Sequence, residues 1–418
     1  MTSVTVAGAG GKAISLNYTS SANVGLAQQL AAAITAGVNS GTIIPYVNDP
    51  PALPPGKTGE YIQTVSGAAF LPHGYDNVVV TAPDAVIFGS GGADERILSS
   101  TGNLTFFATG GSGSIAAGGG NNSFIIPVSD NGNWLITSGN GNDFIDAQGN
   151  GNDTIEAGSG DNRIVLGGGH ALVQSSGDDS VLAGSGAATV VAIGNNDDLI
   201  YGGSGSLLFV GGAGPSTVLG GRGSVTVFGS TYGTGTMFAS GGSDGNNLLI
   251  ADVGKATLVG GGGGDTLFAA GSQAQLLRAA GGNETLFAGF ASGDDTLQAG
   301  SGHDSLVAGL GNDTLQAGTG SATMVGGFGK DIFAFIKGEA GGTDLVQNFL
   351  DGDKIDLIGY GPHAVADALK TQKVVDGSVT ITLSDHTKIT FAGVTSLTRG
   401  DFVDQTTWAP HNNPHGRG

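Results

Sequence analysis

The stretch Gly293–Phe335, GDDTLQAGSGHDSLVAGLGNDTLQAGTGSATMVGGFGKDIFAF, decides the fold. Asp295, Asp304, Asp313 and Asp331 each stand two residues before a large apolar residue, namely Leu297, Leu306, Leu315 and Phe333. Ala322 before Met324 keeps the beat without its carboxylate, and glycine-rich text such as Gly309-Leu310-Gly311-Asn312 leads into the acidic positions. A period of about nine residues indicates a stacked repeat, because one such unit buries its apolar residue only against its neighbours. Glycine permits tight turns and lets carbonyls approach an ion, Asp supplies a hard anionic oxygen, and the apolar residue points into a short strand's interior.

Followed backward, the apolar beat runs through Ile145, Ile155, Ile164, Leu172, Val181, Val190, Ile200, Leu208, Val218, Val227, Phe238, Leu249, Leu258, Leu267, Leu277 and Leu286. Spacing kept over so long a stretch predicts one all-β solenoid of parallel strands. The acidic position is less regular. It holds Asp143, Asp153, Asp179, Asp198, Asp265, Asp295, Asp304, Asp313 and Asp331, but Ser206, Ser216, Ala256 and Ala322 elsewhere. From about 206 to 260 the solenoid is therefore expected to run without metal. Any single Asp in such text also has an ordinary role as a solvated turn residue, a reading that weighs most on Asp143, Asp153 and Asp304.

These repeats resemble those of the RTX family, the hemolysin-type calcium-binding repeat proteins that Gram-negative bacteria secrete. The resemblance implies a β-roll in which Ca2+ ions sit between turns on one side of the stack, two repeats apart. Pairs about 18 residues apart then matter most: Asp295 with Asp313, Asp313 with Asp331, and Asp179 with Asp197 or Asp198, while Glu284 completes Asp265. The resemblance also implies export by a type I secretion machine that reads an uncleaved C-terminal signal, and hence an extracellular or cell-surface bacterial protein. The N-terminus, Met1-Thr2-Ser3-Val4-Thr5-Val6, lacks the basic and apolar regions of a secretory leader, and no apolar run approaches the ~20 residues of a membrane-spanning helix; by themselves these features would suggest a cytoplasmic protein, an expectation that the resemblance reverses.

Composition points the same way. Gly contributes 80 of 418 residues, charged residues 12 %, and the formal net charge is -20, which opposes any nucleic-acid partner. Bound calcium would offset part of that charge, so the metal-free chain is expected to compact less readily. Cysteine is absent, which removes disulfides and thiol chemistry.

Four regions are expected: 1–60, a helix and Pro-rich connector; 61–336, the β-solenoid; 337–404, a small β region that closes the roll; and 405–418, a polar tail with Trp408, His411 and His415. In the first, Ala22–Ala36 carries Leu26, Leu30, Ala33 and Ile34 at helical spacing, with Ser21 as N-cap and Gly37 as stop. That helix reads as an end cap or as an assembly element, and Pro45–Gly56 as a stiff connector. In the third, Val379–Leu383 and Lys388–Phe391 read as strands around Ser384-Asp385-His386, and Leu397–Val403 resembles the family's terminal ending.

Enzyme readings fare poorly, so no catalytic residue is assigned. None of the seven histidines lies in H-E-x-x-H, Walker A is absent, and Gly241-Gly242-Ser243-Asp244-Gly245 fits G-x-S-x-G only as glycine-rich text does by chance. Arg163, Arg222, Lys255 and Arg278 are too scattered for a polysaccharide-cleaving face. The roll itself is thus the expected product: a calcium-folded structural protein that self-associates into a filament, layer or matrix. The alternatives are a monomeric adhesin that binds a cell-surface polysaccharide and an enzyme acting on extracellular polysaccharide.

Overall fold

The computed structural model describes residues 1–404 other than Thr19, Thr101, Thr231, Gly233 and Thr234; the tail with Trp408, His411 and His415 lies outside the described residues. Nearly every element is a short strand. The chain divides into two compact units, Met1–Gly245 and Asn246–Gly418. Each is a parallel β-solenoid, as the repeat predicts.

In the second unit Thr285–Ala291, Thr296–Gln298 and His303–Val307 follow one another, and the first pairs in parallel with the third. Successive strands therefore alternate between two sheets, and one coil spends two repeats. Leu297, Leu315, Phe333 and Ile355 stack in one sheet, and Leu267, Leu286, Leu306, Met324 and Val346 in the other, each 0 % exposed. Each buried side chain of this size contributes about 1.5–3 kcal/mol. Glycine is required where coils touch: Gly311, at φ +136°, would place a Cβ 2.2 Å from the Gly293 carbonyl oxygen. Both the backbone conformation and the close approach exclude a side chain there.

The first unit repeats the arrangement, with Ile145, Ile164, Val181, Ile200 and Val218 stacked and fully buried. Three positions of the expected beat are corrected. Leu172 and Phe238 are each 38 % exposed and Leu208 is half-buried, whereas Val173, Phe209 and Ala239 are 0 % exposed. Each pair consists of adjacent apolar residues, between which the pattern alone does not choose, and a one-residue slip turns a strand inside out. The same slip moves Ser206 out of the acidic position, which Leu207 occupies.

The N-terminal region departs most from expectation. Strands β1 (Thr2–Ala7) and β2 (Ala13–Tyr18) form an unforeseen antiparallel hairpin ahead of helix α1 (Ser21–Ser40). Ser20, not Ser21, is the N-cap, its hydroxyl accepting from the Asn23 amide at 3.2 Å. The helix passes through Gly37 and ends at Gly41 in the left-handed conformation, φ +68°. Gly37 is a contact residue, since a Cβ there would lie 2.3 Å from Ile43 Cδ1.

Helix α1 is not an end cap. Its residues Leu26, Leu30 and Ile34 join Val6 and Leu16 of the hairpin and the outward-facing Ile62, Val79, Leu98 and Ala116 in one core, with Leu135 packed against it. The helix thus lies along the flank of one sheet, tied by Asn23 Nδ2 to the Ala117 carbonyl at 2.5 Å. Parallel pairing starts earlier than residue 61, where β3 (Ile43–Val47) meets β4 (Thr58–Gln63). Pro45 belongs to β3, the first strand of its sheet, which needs no donor on its free side.

At the C-terminal end Ser378–Thr382 and Lys388–Phe391 pair antiparallel around His386, at φ +72°, as expected. Lys388–Phe391 also joins Thr343–Gln347 in parallel, so this region extends the solenoid's sheet before the chain turns back. A short helix, α2 (Ala364–Lys370), was not foreseen.

Candidate metal centre

The acidic positions fall at or just before the start of each strand, one residue per coil in each sheet, and form columns. In the second unit one column reads Asn247, Asp265, Glu284, Asp304, Ala322, Asp344, and the other Ala256, Gln275, Asp295, Asp313, Asp331, Asp353. The expected neighbours are neighbours here: Asp265 beside Glu284, Asp295 beside Asp313, Asp313 beside Asp331, and Asp304 between Glu284 and Ala322. All the carboxylates of both columns are at most 4 % exposed.

One oxygen of each Asp has the same task throughout. It accepts the backbone N–H of the column residue one coil back: Asp313 Oδ1 from Asp295 at 2.7 Å, Asp331 Oδ1 from Asp313 at 2.9 Å, and Asp304 Oδ1 from Glu284 at 3.0 Å. The second oxygen of Asp265, Asp304 and Asp313 accepts from the amide of Gly261, Gly300 and Gly309, four residues upstream. In Asp295, Asp331 and Asp344 that second oxygen is buried without any donor, and Glu284 has no donor at either oxygen.

Such oxygens are costly to leave bare. Burial pushes the Asp295 carboxyl up to about 7, with Asp313 and Asp294 adding to the push and the Gln275 amide opposing it. Asp331 rises to about 6, chiefly by burial, and Asp344 to about 7. Glu284 rises to about 8 through burial and the flanking Asp304 and Asp265 carboxylates. Among the described residues no three acidic or histidine side chains converge on one point, so the columns offer carboxylates in pairs, with turn carbonyls beside them. Paired hard oxygens with unmet valence in a glycine-rich turn suit Ca2+, which takes carboxylate and carbonyl oxygens together. Bound there, the ion would supply the charge that the orphaned oxygens lack.

The first unit is built differently. In one of its sheets the column reads Leu104, Asn122, Asp143, Asn162, Asp179, Asp198, Ser216, so carboxamides separate several carboxylates, and in the other it reads Asp76, Glu95, Gly113, Trp134, Asp153, Ala171. Asn162 Nδ2 donates to Asp179 Oδ1 at 2.8 Å, and Asn122 Nδ2 to Asp143 Oδ1 at 3.0 Å. Asp179 and Asp198 are the adjacent carboxylates of the first of these columns, joined through the Ser175 hydroxyl. That hydroxyl has one proton for two carboxylates, both of which burial raises to about 6. Asp197, the other partner considered for Asp179, is exposed and outside the column; its amide bonds to Asp178. Asp153 stands between Trp134 and Ala171, with no carboxylate beside it in its column.

Four column members escaped the sequence reading. Asp344 and Asp353 were absorbed into the closing region, although Asp344-Leu345-Val346 and Asp353-Lys354-Ile355 carry the same spacing. Asp76 and Glu95 sit two residues before the buried Val78 and Ile97, in coils where glycine is sparser and the beat is harder to see. Glu95 Oε1 accepts from the amides of Gly91 at 2.7 Å and Gly92 at 3.1 Å, while its Oε2 has no donor.

The family model for the RTX calcium-binding nonapeptide repeat matches in four copies, at residues 137–171, 278–315, 291–324 and 309–334. The chain thus carries RTX-type repeats, and repeats of this kind bind calcium in general. It matches no curated protein.

Proposed function

We propose that this is a secreted, calcium-binding structural protein whose second-unit coils fold on calcium and which self-associates into a filament, layer or matrix at the cell surface. The observation that carries the calcium part is the set of buried, donorless oxygens on Asp295, Asp331, Asp344 and Glu284. Export through a type I machine is supported by the RTX repeats, whose carriers are as a rule secreted, and by the C-terminal segment Asp401-Phe402-Val403, which resembles the family's ending. A structural role is favoured over catalysis because the buried titratable groups of the second unit stand in two regular columns, and regular repetition suits a scaffold. Electron microscopy and sedimentation of the purified chain, in chelator and in millimolar calcium, test the proposal. Ordered assemblies that need calcium support it, and a chain that stays monomeric at high concentration in calcium rejects it.

A further inference from the structure

In the first unit the two sheets have unequal cover. The flank of one lies under α1, whereas no element among the described residues of this unit packs on the outward face of the other, built on Asn103–Phe107, Ser123–Ile126 and the strands that follow. One outward row along this face reads Phe107, Ile125, Asp146, Val165, Leu182, Tyr201, one residue per coil. Leu182 is 43 % and Tyr201 38 % exposed. Beside them Arg163, Ser180, Leu182 and Tyr201 line an open groove of about 400 Å³.

The charges on this face are few. Among the outward strand positions from Asn103 to Ser240, Asp146 and Arg163 alone are charged, while the exposed Asp161, Asp178 and Asp197 border the face at the turns that lead into its strands. Asp146 and Arg163 sit in adjacent rows and adjacent coils, yet among the described residues the ion pairs are Arg96–Asp94 and Lys370–Asp367, and neither residue takes part; Asp146 Oδ1 accepts from the neutral Gln148 Nε2 at 2.8 Å. Two such surfaces meeting across a twofold axis would satisfy both charges at once and cover the apolar row, because a twofold contact sets residue i against j and j against i.

We propose that this face is the docking surface for a second copy of the chain, with Asp146 of each copy against Arg163 of the other. The inference rests on the self-association reading above and names one of its contacts, since a twofold contact by itself closes at a dimer.

The test is sedimentation equilibrium of the full-length chain in calcium, with circular dichroism to confirm the fold of each variant. Leu182→Asp places a carboxylate in the middle of the contact and should weaken association at least about tenfold. Asp146→Arg and Arg163→Asp should each weaken it, since each sets like charges together, and the double reversal should restore it to within about threefold of the parent. A parent chain that associates while all of these variants associate equally well would overturn this face and leave the assembly reading standing. A monomeric parent chain would overturn both.

Discussion

At the scale of single residues, the columns separate carboxylates by what their neighbours supply. Asp313 lies between Asp295 and Asp331, whereas Asp304 has a carboxylate on one side and Ala322 on the other. Each also holds an amide of the preceding coil, so its removal leaves a buried N–H without an acceptor, at a cost of roughly 1–3 kcal/mol. Asp313→Ala should therefore lower calcium stoichiometry and stability more than Asp304→Ala in calorimetric titration; equal losses would count against pairing along the column. Asn162→Asp replaces a donor to Asp179 with a second carboxylate, and its melting temperature should drop in chelator and recover in calcium. Glu60 offers a test outside the columns. It is 0 % exposed on the same strand face as Ile62, has no donor at either oxygen, and burial raises it to about 8. Since its folded value exceeds its unfolded one, the stability it allows at low pH is lost as pH rises from about 4 to about 8. Glu60→Gln should then raise the melting temperature at pH 9 more than at pH 5.

At the scale of elements, the sequence was legible where one residue per repeat had to be apolar and its neighbours polar. Leu297 and Leu315, each between a Thr and a Gln, meet that condition and are buried as expected. Leu172-Val173 and Leu208-Phe209 offer two apolar residues where one is needed, and the choice falls to the length of the coil, which spacing in a single sequence shows poorly. Helix α1 was legible as a helix, but its place was not. Its apolar residues announce burial without naming a partner, and the partner proved to be outward-facing Ile62, Val79 and Leu98, residues that a two-sheet reading assigns to solvent. That placement makes the helix a stabiliser of the first coils. Ile34, at 0 % exposure, should cost about 2–5 kcal/mol when truncated to Ala. Deleting residues 1–41, which stops short of β3, should bare the flank and lower the melting temperature of the first unit or make it aggregate. A deletion variant as stable and soluble as the parent would show that the helix adds nothing to the fold.

At the scale of the whole molecule, the account turns on competition between protons and calcium for the same buried oxygens. Burial raises Asp295, Asp331, Asp344 and Glu284 to between about 6 and about 8, above the unfolded carboxylate range. Without metal, the folded state binds these protons more tightly than the unfolded one, so stability is greatest below about pH 4 and falls as pH rises toward about 8. Calcium reverses the trend, because its ligands must be deprotonated. In chelator the second unit should thus be better ordered at pH 5 than at pH 8, and calcium affinity should rise over the same interval with release of protons. The most direct test is amide hydrogen exchange of the full-length chain at pH 7.5, in chelator and in millimolar calcium. Calcium-coupled folding predicts that the strands from Thr266 to Ile358 exchange quickly in chelator and become strongly protected in calcium, with smaller changes in the carboxamide-buffered coils of Ser123–Leu166. Equal protection of Thr266–Ile358 in the two conditions would contradict it.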